Sequence, residues 1–153
     1  MCSRVPVFPC SPPRRNEPLL TRKPPIQYSI RTLAWNPTGQ LIATGSADRT
    51  LRIWNPERPA VKYSTDLRGH SAGVEKVLFN PVRESELASC STDGTVRFWD
   101  VRSKTCVSRL DVGGEAFTLS WSADGNVVMV GRKVRRKDTP NSLLMVEGKK
   151  GGS

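Results

Sequence analysis

The 153-residue chain is 37% hydrophobic, low for a fully packed domain, and carries 24 Lys and Arg against 14 Asp and Glu for a net charge of +10. The positive excess sits in the tails, because residues 28–130 hold 12 basic and 11 acidic side chains and are nearly neutral. A single histidine, His70, excludes a metal site built on two or more His ligands.

Residues 1–27 contain seven of the twelve prolines and no apolar run long enough for a signal-peptide core or a membrane span. They are predicted to form a disordered, extended lead-in. Arg14, Arg15, Arg22 and Lys23 read as solvated charges, with phosphate contact or nuclear import as the sharper alternative.

A first patterned unit covers residues 28–66. Leu33-Ala34-Trp35-Asn36-Pro37 precedes Gly39, the run Leu41 to Ser46 precedes Asp48, and Leu51, Ile53 and Trp54 follow. A second unit covers residues 67–110 and opens on Gly69-His70. Val74, Val77 and Phe79, then Leu87 to Cys90, then Val96, Phe98 and Trp99 form three short runs of half-buried strand type, closing on Trp99-Asp100. Asp93-Gly94 supplies a hairpin turn, because Gly tolerates positive φ and Asp bonds its own backbone. Asp48 and Asp93 lie 45 residues apart with the same offset to Trp54 and Trp99, so the two units are copies.

A third, partial copy spans residues 111–130, with Phe117 to Ser122 as one strand, Asp124-Gly125 as a turn and Val127 to Val130 as another strand. Where a third Asp turn and Trp are expected, residues 131–153 turn basic and Gly-rich. They are predicted to form a disordered tail, interrupted by Leu143-Leu144-Met145-Val146. One hypothesis is that sequence foreign to the repeats, such as a retained intron, enters near Val134. Sequencing the transcript across Lys133 tests this, and a message with no alternative join refutes it.

A Gly-His opening, a Trp-Asp close and a period of 45 residues resemble the WD40 repeat, whose units form four-stranded propeller blades. The resemblance implies an all-β fold of about two and a half blades, an incomplete ring, with disordered tails. Propellers close with about four to eight blades, so the isolated chain is expected to be of low stability with open edges. A cooperative unfolding transition with a high midpoint, independent of concentration, would contradict that. The resemblance also implies a buried structural network of His70, Ser91, Asp93 and Trp99, with His70 bridging the carboxylate and a strand hydroxyl that receives the indole N–H. Ser89 shares the strand face of Ser91, and Ser91 is taken as the member. In the first copy Thr44, Ser46, Asp48 and Trp54 form at best a partial set, since no Gly-His precedes them.

Residues 68–125 resemble more narrowly the family of WD-repeat subunits, subunit three, of the THO complex, on Arg68-Gly69-His70, Trp99-Asp100-Val101-Arg102, Lys104-Thr105-Cys106 and the Trp121-Ser122 pair before Asp124-Gly125. This implies a non-catalytic nuclear scaffold that engages other THO/TREX-like subunits and mRNA export factors, with weak, non-specific, salt-sensitive RNA contact through the basic tails. It implies no membrane, no cofactor and no small-molecule substrate. The segment Leu87 to Arg102 is also similar to the WD-box by which substrate receptors dock on the cullin-4 ubiquitin ligase adaptor, with Arg102 as an exposed partner contact. The plainer reading of Arg102 is a solvated turn residue.

Enzyme chemistry finds little support. His70 already has a structural role, Gly113-Gly114 lacks the remainder of a phosphate loop, and no carboxylate pair stands out. Cys2, Cys10, Cys90 and Cys106 lack zinc-ligand spacing, and Cys90 and Cys106 are predicted to be small core residues.

Overall fold

The computed structural model describes residues 29–58, 65–133 and 143–147, and among them every regular element is a β-strand. The lead-in and most of the basic tail, with the hypothesis placed at Val134, lie outside the described residues. Three antiparallel sheets follow one another along the chain. The first contains β1 (Ile30–Trp35), β2 (Ile42–Ser46), β3 (Thr50–Trp54) and β4 (Thr65–Arg68). The second contains β5 (Val74–Phe79), β6 (Glu86–Ser91), β7 (Thr95–Asp100) and β8 (Thr105–Asp111), and the third contains β9 (Glu115–Trp121), β10 (Val127–Lys133) and β11 (Leu143–Glu147). Each sheet is a meander of strands paired with their sequence neighbours.

The turns explain the meanders. Three-residue loops join β2 to β3 and β6 to β7, and the last residue of each has positive φ, 75° at Arg49 and 82° at Gly94. Gly adopts this conformation freely, whereas Arg pays a steric penalty of about 1 kcal/mol. Arg49→Gly is therefore expected to raise stability by roughly 0.5–1 kcal/mol, read from urea midpoints, and a destabilised variant would contradict the turn assignment. Where β1 and β5 end, Asn36 and Asn80 hold the next turn, their side-chain oxygens accepting the N–H groups of Gln40 and Leu41, and of Val82 and Arg83.

The second sheet packs against both others, which explains its burial. Alternate side chains of a strand point to opposite faces. Leu87 and Trp99 accordingly join Val74, Val77 and Phe79 in a core with Ala43, Leu51, Ile53 and Leu67 of the first sheet. Ala88, Cys90, Val96 and Phe98 join Ala116, Leu119, Val128, Val130 and Val146 in a core with the third. Fully burying a Leu, Ile or Val side chain contributes about 1.5–3 kcal/mol, so these two layers carry the assembly. The outer sheets retain apolar exposure, with Leu33 60% and Trp35 53% exposed on β1 and Leu143 and Met145 exposed on β11. A repeat unit buries such a face only against a neighbour.

Several boundaries differ from expectation. The divisions at 66/67 and 110/111 cut through β4 and β8, because each sheet keeps its fourth strand to Arg68 or Asp111. The tail predicted from residue 131 contains the end of β10 and all of β11. The apolar run at 143–146 alternates, placing Val146 in the core and Leu143 and Met145 outside, which is what an added strand requires. Cys90 is buried as expected, and burial pushes its thiol pKa up to about 12. Cys106 is exposed instead of buried, because it lies on β8 at the edge of its sheet.

Candidate functional site

The polar side chains of the middle sheet meet in a relay inside the first core layer. His70 follows β4 in the loop to β5, and its side chain is fully buried. Its Nδ1 lies 3.0 Å from Asp93 Oδ2, and its Nε2 lies 2.7 Å from Ser89 Oγ. The carboxylate can only accept, so Nδ1 carries the proton and Nε2 accepts from the serine hydroxyl. Ser89 in turn accepts the Trp99 indole N–H at 2.9 Å. The other Asp93 oxygen accepts the Thr95 N–H at 2.8 Å and the Thr95 hydroxyl at 2.6 Å, while the Ser71 N–H adds a second bond to Oδ2. Each buried donor thus has an acceptor, the condition under which a buried network stabilises. Gly69 is closely packed: a Cβ there would lie 2.7 Å from the Arg97 guanidinium, which can swing aside, and 3.1 Å from the Trp99 ring.

The relay corrects one expected member. Ser91 is not in it: its hydroxyl donates to the Gly73 carbonyl at 2.8 Å and accepts the Asp93 N–H at 3.1 Å. The register gives the reason. Leu87 pairs with Trp99 and Ser89 with Arg97, so the indole reaches the serine two residues along the same face. Ser91 lies four residues from that partner, about 13 Å away along the strand. The three-residue turn between Ser91 and Thr95 already implied this register, and was the available signal. Ser89→Ala, which strands the His70 ring nitrogen and the indole N–H, is expected to cost about 1–3 kcal/mol. Trp fluorescence in urea would measure it, and a cost no greater than that of Ser91→Ala would contradict the relay.

The first sheet holds a divided counterpart. Trp54 donates to Thr44 Oγ1 at 2.8 Å, so Thr44 is the receiving hydroxyl, while Ser46 instead donates to the Ser29 carbonyl at 3.1 Å. Without a histidine, Asp48 is bound by Arg52 at 2.6 Å and by the Thr50 hydroxyl at 2.7 Å. Ser46 touches this group only by accepting the Asp48 N–H.

Charges follow these environments. Burial pushes the Asp93 carboxyl up, but the bonds from Thr95, Ser71 and His70 outweigh it and bring the pKa down to about 2. Burial dominates at His70 and lowers its pKa below the ordinary 6.5 despite the neighbouring Asp93. The imidazole is therefore neutral at physiological pH, with both nitrogens engaged, and its placement is that of a structural bridge. Among the described residues no group of three or more His, Cys, Asp and Glu side chains could hold a metal ion.

Arg102 lies at the opposite end of β7 from the turn. Its side chain is 74% exposed, its guanidinium is 2.9 Å from Glu84 Oε1, and its N–H bonds Asp100 Oδ1 at 2.9 Å. A cleft of about 220 Å³ opens there between the first two sheets, lined by Asn36, Leu41, Glu84, Val101 and Arg102 among others.

The model of the family described as "WD domain, G-beta repeat" matches residues 17–55 and 61–100. THO complex subunit 3 of Arabidopsis thaliana is 34% identical over 106 residues, 68% of this chain and 34% of its own length. WD repeat-containing protein AAC3 of Dictyostelium discoideum is 26% identical over 64% of this chain and 24% of its own length. Denticleless protein homolog of Danio rerio is 35% identical over 69% of this chain and 14% of its own length. The chain thus spans about a third or less of the length of these relatives.

Proposed function

The chain belongs to the WD40 repeat family, and from that premise we propose that it is a non-catalytic scaffold acting in a nuclear, THO-like assembly that couples transcription to mRNA processing and export. The observation that carries this reading is the 34% identity to THO complex subunit 3 across 106 residues, which include the relay. A sheet stitched internally by a neutral histidine is a rigid support, and rigid supports present loops and edges to partners. The partners in this reading are other THO/TREX-like subunits and export factors. Contact of the basic tails with RNA is non-specific and falls steeply with salt. Tagged full-length chain isolated from nuclei is expected to bring down THO subunits in near-stoichiometric amount. Their absence from a preparation that retains other partners would remove the reading.

A second reading draws on Arg102. In Trp99-Asp100-Val101-Arg102 the arginine is exposed beside a cleft. Here the chain docks on the cullin-4 ligase adaptor as a substrate receptor, with Arg102 contributing charge and stem packing. Pull-down with the purified adaptor separates the two readings: binding that weakens in Arg102→Ala supports the ligase reading, and no binding by either protein removes it.

A further inference from the structure

Away from the relay, the edge of the middle sheet carries an unbalanced charge pair. β8 is hydrogen-bonded to β7 along one side, and among the described residues no strand pairs with its other side. Five of its seven residues are exposed. In the β7–β8 register Arg109 stands directly opposite Arg97. Like charges at such positions repel, and the first sheet shows the balanced arrangement. Arg52, which corresponds to Arg97 in the repeat, has Asp66 opposite it on β4. Among the described residues neither Arg97 nor Arg109 pairs with a carboxylate; Arg97 Nη1 reaches only the Cys106 sulfur, at 3.8 Å, and its Nε is buried with no partner. Asp111, two residues along from Arg109, accepts the Gly113 N–H.

The other face of β8 carries Ser108 and Leu110, opposite Phe98 and Val96. The register skips Val107, a β-bulge that leaves its side chain 55% exposed. Beside it a pocket of about 130 Å³ is lined by Phe98, Val107, Leu110 and Val146, with Ser108, Glu86 and Glu147.

We propose that β8 is the docking edge for an extended acidic polypeptide segment, which adds a fifth strand to the middle sheet. Successive side chains of an added strand point to opposite faces, so an acidic residue opposite Arg109 faces the Arg109–Arg97 row while the apolar residues flanking it meet the Val107 pocket. Glu147 repels acidic residues from the pocket face, where Glu86 is already held by Arg83 at 2.7 Å, and this selects which face of the added strand is acidic. Main-chain bonds to the open edge supply affinity, and the two faces supply selectivity. A nucleic acid offers phosphates to the same arginines but has neither strand backbone nor apolar side chains for the edge and pocket.

The test measures fluorescence anisotropy of the full chain with three labelled probes: a blocked hexapeptide alternating Asp and Val, its Lys–Val counterpart, and decauridylate. The Asp–Val peptide is expected to bind. Arg109→Glu, at an exposed edge position, is expected to weaken that binding by about fivefold or more, from loss of one cross-strand charge pair and its reversal, and to create binding of the Lys–Val peptide. Val107→Asp should weaken the Asp–Val peptide while Val82→Ser, at an exposed loop position, leaves it unchanged; circular dichroism verifies that each variant is folded. No binding of the Asp–Val peptide, equal binding in Arg109→Glu, or decauridylate binding more tightly through the same arginine would each overturn the proposal.

Discussion

Trp99→Ala is expected to cost about 3–5 kcal/mol, the range for truncating a buried aromatic, and to leave the chain largely unfolded at room temperature. Trp99 is 2% exposed and is the largest of the fully buried side chains. It sits between two sheets, in a core with Leu51 and Ile53 of β3, Leu67 of β4 and Leu87 of β6, so collapse of the cavity left behind requires several strands to move at once. The ring also lies 6.3 Å from His70 and holds Ser89 in place, so truncation removes a packing surface and a donor together. Trp99→Phe separates the two contributions: it keeps most of the apolar surface, loses the indole N–H, and is expected to cost about 1–3 kcal/mol. Far-UV circular dichroism in urea is the appropriate readout, because the mutation removes a fluorophore. A cost below about 1 kcal/mol for Trp99→Ala would mean that the first core layer does not depend on this residue.

The fold was legible because three devices recur at fixed spacing. Asp48 and Asp93 mark turns, Trp54 and Trp99 close strands, and apolar runs fill the intervals, so strand-type periodicity and turn chemistry agree. The choice between Ser89 and Ser91 was not legible from periodicity, because both lie on one face and both are buried; only the register set by the 92–94 loop separates them. β11 was hidden for a different reason. A five-residue alternating run beyond a basic stretch resembles an incidental apolar patch, and its strand character rests on pairing with β10 across a gap in sequence. Cys106 shows the converse: its neighbours read as strand, but nothing in a single sequence says that β8 is an edge. The Arg97–Arg109 pair was invisible too, since residues twelve apart become neighbours only through the β7–β8 register.

Acidification is expected to destabilise the chain in two stages, first below pH 6.5 and again below about pH 4. His70 governs the first stage. Its folded pKa lies below the ordinary 6.5, so the unfolded chain binds the proton more readily; the stabilisation is complete above 6.5 and is lost as pH falls. Protonation also places an N–H at Nε2, where Ser89 donates its own hydroxyl, so the relay must rearrange. Asp93 governs the second stage. Its folded pKa of about 2 lies below the ordinary 3.8, so its contribution is present above 3.8 and disappears between there and 2. The difference corresponds to about 2 kcal/mol. Asp48, lowered despite its partial burial by Arg52 and Thr50, adds in the same direction. Urea midpoints are expected to stay level from pH 7.5 to pH 6.5, and to fall in two stages from there to pH 3. His70→Gln should flatten the upper stage and Asp93→Asn the lower, each from a reduced starting stability, because a buried partner is left unsatisfied. A midpoint that rose between pH 7 and pH 5 would show that His70 gains rather than loses proton affinity on folding, and an unchanged lower stage in Asp93→Asn would transfer that stage to other carboxylates.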